Sequence, residues 1–172
     1  STGNLRGRFV IRNRQLELRR GRTGKGTALL GVDAALLDKR WQVIQASLRP
    51  ARLIRLCEQF EKDFPGSEYD QQIRVTIAGA RQALESQRSA GLSADLFEET
   101  TGDRDFRDDL IKALRGDKDA AHRLALAYRD GKSGVAIQSR RTEQWLRFAA
   151  ELGNGIASWE LSEIYNQSGQ VG

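Results

Sequence analysis

The run Gly21-Arg22-Thr23-Gly24-Lys25-Gly26-Thr27 is the first place to look for chemistry, since glycines around a lysine can cradle phosphate. A phosphate-binding loop has a glycine separated by four residues from the Gly-Lys pair, and Ser or Thr directly after the lysine. Here the first site is Arg19 and the residue after Lys25 is Gly26, so the pattern fails at both ends. His122 is the only histidine, and the chain offers it no partner at the spacing of a metal site or a catalytic dyad. Cys57 is the only cysteine, which leaves neither an internal disulfide nor a cysteine-based metal site. Glu98, Glu99, Asp103, Asp105, Asp108 and Asp109 form an acidic run. Acid–base work by paired carboxylates needs a shaped pocket that separates their pKa values, whereas a solvated linker needs nothing more. No catalytic residue, metal ligand, cofactor or small-molecule substrate is expected from these groups.

The elements that carry them are those of a soluble helical protein. Of 172 residues, 39% are hydrophobic and 30% charged, which suits one domain or a short helical array better than a disordered chain. No window is apolar enough for a membrane span. No basic-then-apolar leader opens the chain, and Ser1-Thr2-Gly3 reads as a processed or cut end. Charge is unevenly placed. Arg6, Arg8, Arg12, Arg14, Arg19, Arg20, Arg22 and Lys25 stand against Glu17 alone in residues 1–30, a balance of +7 that leaves −2 for the rest. A basic groove for nucleic acid is therefore not expected in the body.

Residues 1–31 lack a helical period and form a basic arm. Arg8–Arg12 and Gln15–Leu18 can pair as a β-hairpin across Asn13, or the arm orders only against something else. From Asp33, a plausible N-cap, the pattern turns helical, with Leu37, Trp41, Ile44 and Leu48 on one stripe. Pro50 closes that helix and opens a second, carrying Leu53, Cys57, Phe60 and Phe64. Pro65-Gly66 ends it, Ser67 caps a third, and Ile73, Ile77, Ala80 and Leu84 follow. Cys57 on this reading packs in the core. Short turns between stripes of one geometry predict antiparallel helix pairs over 32–90. Residues 91–105 break the pattern and read as an acidic linker, in which Leu92, Leu96 and Phe97 can still dock a short helical turn.

After residue 105 the sequence repeats. Gly116, Ala120, Leu124 and Tyr128 recur as Gly153, Ala157, Leu161 and Tyr165, each 37 positions later. Alanines let facing helices approach closely, Leu and Tyr fill the gaps, and the glycines suit a left-handed turn. The run from Ala120 to Gly131, then Gly134-Val135, then Glu143-Gln144-Trp145 through Ala149-Ala150-Glu151-Leu152-Gly153-Asn154, resembles a SEL-like repeat, a relative of the tetratricopeptide repeats. The likeness covers about residues 107–172. It departs from the family in a 131–134 loop one residue longer than usual, in lacking an acidic residue after Gly134-Val135, and in stopping after one helix of the last repeat. Phe60-Glu61-Lys62-Asp63-Phe64-Pro65-Gly66-Ser67 is similar to the inter-helix turn of tetratricopeptide proteins, which extends a weaker likeness over 50–85.

The resemblance implies an all-α, right-handed superhelical stack of antiparallel helix pairs (an α-solenoid), preceded by the arm 1–31. It also implies a non-catalytic scaffold or adaptor, of the kind found in bacterial envelope assembly or signalling, with a protein or peptide partner. By helix phase Arg123, Ala127, Glu160 and Glu163 line the groove. Trp41 and Trp145 lie on packed stripes. Trp159 lies off its stripe, so it is either an exposed contact or packs on a further helix. The rival reading is an arm-driven binder of anionic membrane or nucleic acid, with the repeats as a dimerisation platform.

Overall fold

In a computed structural model of the chain, the residues described are 24–169, with side chains from Asp33 onward. Every regular element among them is helical: α1 (Gly24–Gln45), α2 (Pro50–Asp63), α3 (Asp70–Ser89), a single 3-10 turn (Ala94–Phe97), α4 (Arg104–Ala113), α5 (Lys118–Asp130), α6 (Ser139–Glu151) and α7 (Gly155–Gly169). The all-α expectation therefore holds. The hairpin expected at Arg8–Leu18 and the arginines Arg6, Arg8, Arg12, Arg14, Arg19, Arg20 and Arg22 lie outside the described residues.

Both ends of the first helix differ, and α1 stops at Gln45, so Leu48 lies beyond it rather than on its stripe. Helix α1 begins at Gly24, nine residues before the expected cap Asp33, so Lys25 stands in its first turn and Asp33 inside it. Gly24, Gly26 and Gly31 each cost about 1 kcal/mol against alanine. Ala28, Leu29, Leu30, Ala34 and Ala35 are strong helix formers, and lengthening an existing helix is far easier than starting one.

The described residues divide into two compact units, one of residues 24–47 with 52–77 and one of 48–51 with 78–169. In the first, the predicted stripes point inward: Leu37, Ile44, Leu53, Cys57, Phe60, Phe64, Ile73 and Ile77 are all buried. Aromatic rings fix the fit. Trp41 stacks on Tyr69 with centroids 5.0 Å apart and meets the Phe60 ring edge-on. Arg40 lies over the Phe64 ring and pairs with Asp63 at 2.5 Å. The Tyr69 hydroxyl donates to Asp38 at 2.8 Å, which with burial pushes the phenol up to about 12. Ser67 caps the turn into α3 as expected: its hydroxyl accepts from the Tyr69 amide, and the Asp70 carboxylate accepts from the Ser67 amide.

The second unit holds residues 91–105, expected as a linker. Leu92, Leu96 and Phe97 are buried in it. Phe97 meets Trp145 and Phe148 edge-on at 5.7 and 5.3 Å. The polar residues of this stretch are also engaged. Glu98 pairs with Arg49, and Asp103 accepts from the Phe106 amide to cap α4. Glu99 accepts from the Thr100 and Thr101 amides and from the Tyr128 hydroxyl. Glu98, Asp103, Asp105 and Asp108 are exposed, as a solvated run requires, while Glu99 and Asp103 also serve as hydrogen-bond acceptors beside the start of α4.

Helices α4, α5, α6 and α7 pack each on the next. The 37-residue offset is visible in their backbone. Gly116 (φ 88°) and Gly153 (φ 100°) end α4 and α6 in the left-handed region. Gly116 donates to Ala113 and Asp117 to Lys112; Gly153 donates to Ala150 and Asn154 to Ala149, the same bonds 37 residues on. The side chain of Asp117 then caps α5 through the Ala120 amide at 3.0 Å, and that of Asn154 caps α7 through the Ala157 amide at 2.8 Å. Each cap is worth about 1 kcal/mol.

Candidate functional site

Two clefts open on this second unit. The first, about 590 Å³, lies between α4 and α5 and the loop after α5. Asp105, Asp109 and Lys112 form one wall, Arg123, Leu126 and Ala127 the other, with Lys132 at the end. The second, about 700 Å³, lies between α6 and α7, with Arg129 and Ile137 at its edge. Thr142, Glu143 and Leu146 face Trp159, Glu160, Glu163 and Ile164 across it.

The clefts are the same place in successive repeats. Adding 37 to Asp105, Phe106, Asp109, Arg123, Leu126, Ala127 and Asp130 gives Thr142, Glu143, Leu146, Glu160, Glu163, Ile164 and Gln167, and both sets line their clefts. The repeat keeps the recess and changes its chemistry. In the first cleft Arg123 reaches across to Asp109, its Nη2 2.7 Å from Oδ1 and its Nε 3.1 Å from both carboxylate oxygens. That hydrogen bonding, together with the nearby Asp117 and Asp119 charges, raises the guanidinium above its usual range despite partial burial. At the same positions in the second cleft stand Glu160 and Leu146, so no ion pair closes it. Leu146, Trp159 and Ile164 line it beside Glu143, Glu160 and Glu163, and Ile137 and Trp159 stand 67% and 64% exposed.

The polar groups of the second cleft are held from behind. Glu160 Oε1 lies 3.2 Å from Nε2 of His122 on α5. His122 is thus a structural link between α5 and α7, the role its place beside the Ala120/Leu124 stripe suggests. Burial, then a hydrogen bond to Glu143, raises the Tyr165 phenol. Asn154 also donates to Asp119 at 3.1 Å, tying the start of α7 to the start of α5.

The four groove residues named from helix phase and the contact candidate Trp159 divide between the clefts: Arg123 and Ala127 line the first, Trp159, Glu160 and Glu163 the second. Helix phase missed Asp109, Leu146 and Ile164. The repeat offset could have found Ile164, which answers to Ala127, but not Leu146, whose counterpart Asp109 was itself missed. Ile137 sits in a loop and gave no periodic signal. Trp145 is fully buried and Trp41 is partly so, whereas Trp159 is exposed. Cys57 is fully buried. Gly24 to Thr27, the end of the phosphate-loop look-alike, is the first turn of α1. Among the described residues no three His, Cys, Asp or Glu converge to hold a metal ion, and no helix is long and apolar enough to cross a membrane.

Compared with protein-family models, with curated proteins and with solved structures, the chain gives no match.

Proposed function

We propose that this chain is a non-catalytic scaffold that holds a protein or peptide partner on SEL-like helical repeats, with residues 107–172 as its binding part. The observation that carries the reading is the pair of clefts at 37-residue spacing, one closed by an ion pair and one open and lined by Leu146, Trp159 and Ile164. Recesses at a fixed repeat, with different side chains in each, suit a partner read along its length. A right-handed superhelical stack is the arrangement in which such recesses fall on one surface. Trp159 is the natural anchor, because large exposed aromatic side chains dominate binding energy where they are covered. The SEL-like likeness points the same way, towards an adaptor in bacterial envelope or signalling work.

The test is affinity capture from a lysate of the source cells with the full chain, compared with Trp159→Ala and Glu163→Lys. Both positions are exposed, so both variants keep the circular dichroism spectrum of the parent. A protein captured by the parent at high salt, and lost or weakened at least tenfold with Trp159→Ala, supports the reading. Capture that ignores both substitutions and vanishes as salt rises would hand the function to the basic arm.

A further inference from the structure

The repeat that keeps the two clefts reverses the charge on one wall. In the first cleft the α5 wall carries Arg123 and Leu126, and 37 positions on the α7 wall carries Glu160 and Glu163. These two are the only charged residues of α7, and both line the cleft. Glu143 adds a third carboxylate from α6. Two cations stand against them, Arg129 and Arg140. Arg129 is already held by Asp130 at 2.8 Å, so the second cleft is acidic on balance. Leu146, Trp159 and Ile164 supply an apolar lining beside the carboxylates.

A neighbouring repeat does not fill this recess. Helix α6 follows α5 and packs on it, yet the first cleft stays open, with Arg123 and Asp130 exposed on its α5 wall. A helix set on α7 as α6 is set on α5 would leave the second cleft open in the same way. An acidic recess with an apolar lining suits a segment that is itself apolar and carries cations. The basic arm contains one: Arg8-Phe9-Val10-Ile11-Arg12, three large apolar residues between two arginines, in a stretch with no helical period of its own. Five extended residues span about 17 Å. The helices that flank the cleft, of 13 and 15 residues, run about 20 Å, so the segment fits along them.

We propose that the arm segment Arg8–Arg12 docks in the cleft between α6 and α7 and covers it until a partner displaces it, a role that rests on this cleft being the binding part. Successive side chains of an extended segment point to opposite sides, so Phe9 and Ile11 enter together against Leu146, Trp159 and Ile164. Arg8 and Arg12 stand on the other side, and their long stems reach back to the carboxylates of Glu160 and Glu163. The arm then has a task within the chain, and a partner gains the cleft only by competing with it.

Acrylamide quenching of tryptophan fluorescence in the full chain tests the proposal, since Trp145 is fully buried and Trp159 is the tryptophan that the arm would cover. We expect quenching to rise about twofold when Phe9→Ser and Ile11→Ser are combined, because the residues that exclude water from Trp159 are lost. Glu163→Lys has the same effect, and in a chain carrying Trp159→Phe the rise disappears. Glu151→Lys reverses an exposed carboxylate of α6 outside the cleft and leaves quenching unchanged. All these positions are exposed or lie in the arm, so helix content stays that of the parent. A parent and an arm variant that are quenched alike overturn the proposal. So does Glu151→Lys acting as Glu163→Lys does, which would mean that overall charge alone holds the arm. Neither result touches the partner reading, which stands or falls on capture by Trp159→Ala.

Discussion

The Tyr128 hydroxyl, 2.8 Å from Glu99 Oε2, joins α5 to the stretch before α4, with Tyr128 buried and Glu99 half-buried. Burial raises the Tyr128 phenol, and the hydrogen bond to Glu99 raises it further, so the phenol stays a donor across the whole working range. For Glu99 burial acts against the charge. Bonds from the Thr101 and Thr100 amides and from the Tyr128 and Thr101 hydroxyls outweigh it and hold the carboxyl below its usual value. A carboxylate depressed in the folded state adds stability that is complete above its unfolded pKa and is lost as pH falls through the folded one. Tyr128→Phe should therefore cost about 1–2 kcal/mol at neutral pH, as expected for a hydrogen bond to a charged group. In urea titrations the gap between parent and variant should narrow below about pH 4, the ordinary range for glutamate. A gap that is constant from pH 7 to pH 3 would mean that Glu99 is not the acceptor that matters. Neither partner was legible in the sequence as a pair: Tyr128 showed as a repeat position and Glu99 as one of many acids. Their meeting depends on how the chain between them turns.

Helices, by contrast, were legible wherever one apolar stripe decided their burial. Most of the stripes of α1, α2 and α3, the proline and glycine breaks between them, and the 37-residue repeat carried over into the fold, while Leu48 falls beyond α1 and Leu84 is only half-buried. What periodicity could not show was the start of α1, where glycines argue against helix and alanines for it, or the docking of Leu96 and Phe97 by a single 3-10 turn. Close approaches of backbone were also hidden. Gly79, mid-way along α3, looks like a flaw, since alanine there would ordinarily add about 1 kcal/mol. A β-carbon at Gly79 would sit 2.0 Å from the Arg115 carbonyl oxygen in the α4–α5 turn, and one at Gly116 would sit 3.0 Å from the Gly79 carbonyl oxygen. Backbone on both sides leaves no flexible side chain to give way. Gly79→Ala should thus destabilise by about 2 kcal/mol or more, the cost of overpacking outweighing the gain in propensity. A thermal melt at or above that of the parent would show that the turn can retreat at no cost.

At the scale of the whole chain, charge and recognition are separated along the sequence. The first thirty residues hold a balance of +7 and the rest −2, while both clefts lie between residues 105 and 167. A scaffold that grips through Trp159 and its apolar neighbours should respond little to salt, because covering apolar surface is not screened. An arm that meets polyanions should respond steeply: neutralising about six phosphates loses roughly a thousandfold in affinity between 50 and 200 mM salt. The two behaviours can be told apart in one protein. With duplex DNA as the polyanion, a chain lacking residues 1–23 should lose its low-salt binding, since Arg6 to Arg22 are gone. The same shortened chain should still capture, at high salt, the partner that the full chain captures. Loss of both together would place recognition in the arm and leave the clefts as packing defects between repeats. Survival of the partner alone means that the arm contributes attraction at a distance while the choice of partner rests with α6 and α7.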